Sequence, residues 1–216
     1  MSYYHGTSKI LHMGTMSASK TSMVTGHTLS KHDSVLIDDV TLYRKAVGSL
    51  QYLAQTRPDI AFAVGKLSQF LSAPMLLQWK AVKHLLRYLQ GTINLGLHIK
   101  KSSCLDLVAY SDVDWASCLD DRRSTGGYLV YYGDSLVAWS SKKQSVVARS
   151  SAESEYKALA HTSSEILWLH SLFAELGIHH HLPSVIWRDN VSAAALASNP
   201  IFHARTKHFE VGLHFV

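Results

Sequence analysis

Cysteine is scarce in this 216-residue chain, which has two. Cys104 and Cys118 form no Cys-x-x-Cys pair and have no histidine partner at zinc-finger spacing. This excludes a disulfide-stapled miniprotein and a finger-type zinc site, and points to a reducing compartment. Long apolar runs are missing too: no stretch of about 18 apolar residues exists, so no membrane span is expected. The opening residues lack a basic start followed by an apolar stretch, so no secretory signal is expected either. Glycine, at 12 residues, is too sparse for a collagen-like repeat. With 47% hydrophobic, 10% aromatic and only 17% charged residues, the chain is also too apolar for intrinsic disorder.

What charge there is falls unevenly. The formal total is +5, but residues 1–101 carry 12 Lys/Arg against 4 Asp/Glu and residues 102–216 carry 9 against 12. A basic part therefore precedes an acidic one. That order suits a protein that holds a polyanion with its first part and uses carboxylates in its second.

Residues 1–40 are rich in Ser, Thr, Gly, His and Met with no sustained apolar period, and are expected to be an irregular lead-in. Residues 41–101 are expected to be a helical segment. Val47, Leu50 and Ala54 recur at helical spacing, as do Ile60, Val64, Leu67 and Leu71 after the Arg57-Pro58-Asp59 break. A third helix is predicted from about Met75 to Gln90, between Pro74 and Gly91. Its apolar stripe is Val82, Leu85, Leu86 and Leu89, while Lys80, Lys83, His84 and Arg87 share another face. That basic face is either a solvated surface or a contact for nucleic-acid phosphates, with Lys80, Lys83 and Arg87 as the candidate contacts.

Residues 102–216 read as a second unit. Strands are predicted at 105–111, 127–132 and 136–140, the last two forming a hairpin over Gly133-Asp134. A long helix over 151–176 stops at Gly177, followed by a strand at 185–188 and a short helix at 191–197, and 205–216 is expected to be helical. This order gives an α/β fold, a mixed sheet with helices packed on it.

Three carboxylates stand at element ends in this unit: Asp112 closes the first strand, Glu155 or Glu153 lies in the first turns of the long helix, and Asp189 follows the last strand. Carboxylates pooled without His or Cys ligands favour Mg²⁺ or Mn²⁺, and two such ions can serve a phosphodiester displacement. Helical geometry separates the two glutamates. At ~100° per residue Glu155 projects within about 40° of Leu159 and Ile166, whereas Glu153 points roughly 200° away. Ser150-Ser151-Ala152-Glu153 also reads as a capping box, which accounts for Glu153 without chemistry. Asp114 is assigned to the following loop, Asp120 to Arg123 to a solvated charge cluster, and His179 to His181 to a polar linker.

Several blocks carry a more specific resemblance. YRKAVGSLQYL at 43–53, TRPDI at 56–60, WKAVKHLLRYLQGT at 79–92, YSDVDWA at 110–116, DRRSTGGY at 121–128, SSAESEYKAL at 150–159 and HARTKH at 203–208 resemble, in this order, the C-terminal part of copia-type retrotransposon Pol polyproteins. The likeness runs from about Leu36 to the end. In that family the region joins the end of the reverse transcriptase to an RNase H domain.

The resemblance implies an RNase H-like fold at 102–216 that cleaves the RNA strand of an RNA–DNA hybrid with two Mg²⁺ or Mn²⁺ ions. Asp112, Glu155 and Asp189 would be the catalytic, metal-holding carboxylates, Glu155-Tyr156-Lys157-Ala158 matching the family's Glu-x-x-Ala. The polymerase palm with its aspartate pair is absent, so no polymerase activity is expected, and the missing reverse transcriptase portion is an expected partner. The family pattern continues past the position of Val216 with a further strand and helix, so the fold is expected to lack both; Glu210 does not replace the acid carried there. The setting implied is the cytoplasm, in a virus-like particle, or the nucleus, with no membrane. The alternative is a catalytically inactive remnant that keeps only nucleic-acid or protein contacts. A recombinase of similar fold fits less well, since the flanking blocks follow the retrotransposon order.

Overall fold

The computed structural model describes residues 17–24, 29–32, 34–102, 105–178 and 183–188. The chain divides into two compact units, 1–97 with 118–120, and 98–117 with 121–216.

The first unit is helical. Helix α1 spans Val40–Leu53 and begins ahead of the apolar period at Val47, because the Asp39 side chain caps it by accepting from Leu42 N. A 3₁₀ turn at Pro58–Ile60 leads into α2, Ala61–Ser68, and α3 follows at Leu76–Gly91. The stripes meet as their spacing requires: Tyr43, Val47, Leu50, Ile60, Leu67, Val82, Leu85, Leu86 and Leu89 form one buried cluster. Gln78 is buried in the same unit, its amide donating to Ser30 O at 2.6 Å and its oxygen accepting from Met75 N at 2.7 Å. These bonds satisfy a polar group that would otherwise be costly to bury.

The described lead-in residues are irregular but held against α3. Ser19 N donates to Arg87 O, His84 Nε2 donates to Thr21 O at 2.9 Å, and Leu36 bridges Met75. Gly91 belongs to this contact: a Cβ there would stand 2.8 Å from the Ala18 Cβ, so any larger residue would push the strap away.

The second unit is a four-stranded sheet with one long helix. The strands are β1 Leu107–Asp114, β2 Thr125–Tyr132, β3 Ser135–Lys143 and β4 Val185–Trp187, in the order β3-β2-β1-β4. β1–β2 and β2–β3 are antiparallel, β4 is parallel to β1, and Asp112 pairs with Gly127. Helix α4, Ser151–Glu175, ends where the sequence suggests. Gly177 takes φ 71°, with Ile178 N bonding Phe173 O and Gly177 N bonding Ala174 O, a Schellman close.

One face of the sheet packs on α4: Leu107 and Ala109 of β1, Tyr128 and Val130 of β2, and Ile166, Leu169 and Phe173 of the helix form the second core. The opposite parity carries Tyr110, Leu129, Val137 and Trp187, all exposed. The expected strand-hairpin-helix-strand order is therefore present, in a mixed α/β unit compatible with an RNase H-like fold. The expected elements at 191–197 and 205–216 lie outside the described residues.

The loop between β1 and β2 is held in costly backbone. Ala116 and Arg122 take φ values of 52° and 55°, a region that disfavours a Cβ. Ala116→Gly should therefore raise stability by about 1 kcal/mol, measured by denaturant unfolding. A destabilised variant would show that this backbone is not strained.

Candidate active site

The carboxylates sit where β1 ends and α4 begins. Burial along β1 alternates, with Leu107, Ala109 and Ser111 buried and Asp112 and Asp114 exposed. Asp112 is thus an open carboxylate on the strand parity that faces away from α4. Glu155 lies in the second turn of α4 and is 8% exposed. Among the described residues no group of three His, Cys, Asp or Glu side chains is close enough to hold a metal ion. Asp189, the third expected ligand, lies outside the described residues, as do His179 to His181, His203, Arg205, Lys207 and His208.

Glu153, expected to serve a capping box, is 5% exposed. Its angular distance from the core stripe does not leave it in water, because the chain entering α4 folds over it. Glu153 accepts from Arg149 N at 2.7 Å and from Lys157 Nζ at 2.6 Å, while Ser150 Oγ accepts from Glu153 N at 3.2 Å. The capping role is present, with the reciprocal bond going to Arg149 N instead of to the cap residue itself. A glutamate whose two oxygens are taken by a backbone amide and an ammonium is a structural group.

The charged loop after β1 is open to solvent at Asp120 and Arg122, as expected, and its acids are bonded as well. Asp120 accepts from Ser30 Oγ at 2.6 Å and from Lys31 N. Burial acts to raise the Asp120 pKa, but these bonds outweigh it and hold the carboxyl below its ordinary range. Asp121 pairs with Lys143 at 2.8 Å and with Arg123 at 3.6 Å. Along β2, burial first and then the charge and hydrogen bond of Glu165 push the Tyr128 hydroxyl up, so it stays protonated.

On α3, Lys80 and Lys83 are exposed and Lys83 Nζ lies 5.5 Å from the Trp79 ring centre. Arg87 differs from them. It is half-buried beside a cavity of ≈250 Å³ shared with Met23, Leu29 and His84, and its Nε is enclosed without a hydrogen-bond partner among the described residues. The basic face is therefore two open lysines next to a partly covered arginine and histidine.

A four-stranded mixed sheet, a long helix across one face and an acid at the end of the central strand β1 define a mixed α/β protein compatible with an RNase H-like fold. Comparison with known sequences takes the assignment further. The chain is 50% identical over 196 residues to the retrovirus-related Pol polyprotein from transposon RE2 of Arabidopsis thaliana, which covers 91% of this chain and 14% of that protein. It is 51% identical over 196 residues to the corresponding polyprotein from transposon RE1 of the same plant, again 91% of this chain and 13% of the relative. Against that from transposon TNT 1-94 of Nicotiana tabacum it is 43% identical over 175 residues, 81% of this chain and 13% of the relative. No family model matches the chain. The chain is homologous to a part of the retrovirus-related Pol polyproteins of these plant transposons. It spans 13–14% of the length of these relatives.

Proposed function

We propose that residues 102–216 form a retrotransposon RNase H, hydrolysing the RNA strand of RNA–DNA hybrids, and that residues 41–101 are the end of a reverse transcriptase which grips the same duplex. The observation that carries this reading is Glu155. A carboxylate on a helix that packs on β1, buried to 8% exposure, is expensive unless it serves a cation or a hydrogen-bond network. Around it lies a sequence half identical to Pol polyproteins.

Asp112, Glu155 and Asp189 are the proposed ligands, and a set of oxygens alone selects hard divalent cations such as Mg²⁺ or Mn²⁺. Two such ions, when bound, would supply positive charge to the attacked phosphodiester and acidify the attacking water. The protein's own part is positional. Asp112 stands on a strand fixed by β2 on one side and β4 on the other, and α4 is anchored by the Leu107, Ala109, Ile166 and Leu169 contacts. Because Asp112 has the parity that faces away from α4, the reading requires Glu155 to meet it round the C-terminal edge of β1, where the sheet no longer separates them. RNA would be told from DNA by its 2′-hydroxyl and by duplex shape.

The test is incubation of the purified chain with a labelled RNA–DNA hybrid and Mn²⁺ or Mg²⁺, beside Asp112→Asn and an EDTA control. Metal-dependent cleavage of the RNA strand by the wild type alone supports the enzyme. Equal or absent cleavage overturns it in favour of an inactive remnant that only binds. Either way the reading sets the chain to work in the cytoplasm, within a virus-like particle, or in the nucleus. No described helix is long and apolar enough to cross a membrane.

The basic face of α3 gives a separate expectation. Each phosphate contact contributes about 0.9 to the slope of log affinity against log salt. Lys80→Ala with Lys83→Ala should therefore flatten that slope for hybrid binding by about 2, read by fluorescence anisotropy. An unchanged slope would make this face a solvated surface.

A further inference from the structure

A cavity of ≈400 Å³ opens in the second unit between the end of β3 and α4; Asp112 does not line it, although its cross-strand partner Gly127 does. Its walls differ in kind. Tyr128, Val146 and Ala158 give an apolar, partly aromatic side, and the His161 ring lies 5.4 Å from that of Tyr128. Gly126 keeps the inner wall open: a Cβ there would touch Ala158 at 3.5 Å, and any longer side chain would fill the space.

The other side is cationic. Lys142, Lys143 and Lys157 line the cavity, and among the described residues no carboxylate does. Two of the lysines are committed elsewhere, Lys143 to Asp121 at 2.8 Å and Lys157 to Glu153 at 2.6 Å. Lys142 is exposed and has no carboxylate partner among the described residues. A cavity of this size is large enough for a small ligand. An uncommitted ammonium beside two aromatic rings would stabilise an anion attached to a flat ring.

We propose that this cavity binds a nucleotide, with its phosphate on Lys142 and its base against Tyr128 and His161. The phosphate comes either from a free nucleotide or from the backbone of a nucleic-acid strand, and the chemistry is the same for both. The site does not rest on the hydrolytic reading, since nothing in it requires Asp112 or a metal.

The experiment is titration of the full chain carrying Asp112→Asn, in EDTA, with 5′-AMP, adenosine, inorganic phosphate and a fluorescent single-stranded 12-mer. Two further variants accompany it: Lys142→Gln, and Val146→Trp on the exposed loop to obstruct the mouth. 5′-AMP should bind at least about tenfold more tightly than adenosine, the factor expected when one charge-assisted bond is gained. Lys142→Gln should erase that advantage with an unchanged melting temperature, and Val146→Trp should weaken 5′-AMP by a similar factor. Tighter binding of the 12-mer than of 5′-AMP, with the same Lys142 dependence, makes the strand the source; the reverse order makes it the free nucleotide. Adenosine binding as well as 5′-AMP, indifference to Lys142→Gln, or no binding by any probe overturns the proposal. Because the assay contains no metal and no cleavable strand, its failure is distinct from failure of the nuclease.

Discussion

Glu155→Gln should lower hybrid cleavage by at least about 100-fold, while Glu153→Gln keeps most of the activity and loses stability. Removing one ionised ligand from a metal pair forfeits several kcal/mol of transition-state stabilisation, and each 1.36 kcal/mol is a factor of ten. Asp112→Asn should behave like Glu155→Gln for the same reason. Glu153 lies two residues away, similarly buried, with its oxygens bonded to Arg149 N and Lys157 Nζ. Its neutral isostere gives up the charge on a bond to a lysine that is 26% exposed. A loss of about 1 to 2 kcal/mol is expected on denaturation. Reversed effects, with Glu153→Gln inactive and Glu155→Gln active, would move the site to the wrong side of α4 and remove the proposed ligand set. The two residues share a helix and a burial class. Only chemistry separates them.

That contrast also marks how far the sequence could be read. Periodicity and terminators fixed the elements closely: the stripe through Val82 and Leu89 is buried as spaced, and Gly177 stops α4 in left-handed backbone. The alternation of β1 puts Leu107 and Ala109 under the helix. These features depend on neighbours in the chain, so local spacing carries them. Spacing carries less where the deciding partner is a segment with no period of its own. Glu153 is covered by the chain entering its helix, and Arg87 by residues of an irregular lead-in that gives no sign in sequence of where it will lie. The role of Gln78, and the cavity beside Lys142, needed the packing of several elements before either could be seen. Asp112 was legible as an acid at a strand end, but its exposure follows from which face α4 covers.

Arg57→Ala should cost about 3 kcal/mol and lower the thermal midpoint of the chain, although Arg57 is far in sequence from every proposed catalytic group. The guanidinium is 5% exposed and spends its donors on two partners. Nε and Nη2 make a fork to Asp59 at 2.8 and 2.7 Å, and Nη1 and Nη2 reach Thr92 O and Oγ1 at 3.0 and 2.8 Å. It thereby ties the turn before α2 to the end of α3, and Tyr88 Oη completes the set by donating to Asp59 at 2.9 Å. Breaking a buried pair typically costs 3–5 kcal/mol. The lower end applies here because the Asp59 side chain is 32% exposed and water can partly replace the lost partner. Arg57→Lys should recover little, since a single ammonium cannot reproduce a fork. The same pair sets a pH dependence of definite sign. Burial acts to raise the Asp59 pKa, but the hydrogen bonds from Arg57 and Tyr88 and the arginine charge outweigh it, leaving the carboxyl below its ordinary range. Folding is therefore favoured wherever Asp59 is ionised in both states. That contribution is complete above the unfolded value, near ~3.9, and fades as pH falls from there through the lower folded value. Arg57 stays charged throughout, its own pKa raised first by the Asp59 hydrogen bond. Denaturant titrations between about pH 5 and pH 2 should show the wild type losing stability faster than Asp59→Asn, whose neutral side chain has no proton to take up. Parallel curves for the two proteins would mean that the fork to Arg57 adds nothing to stability in this acid range.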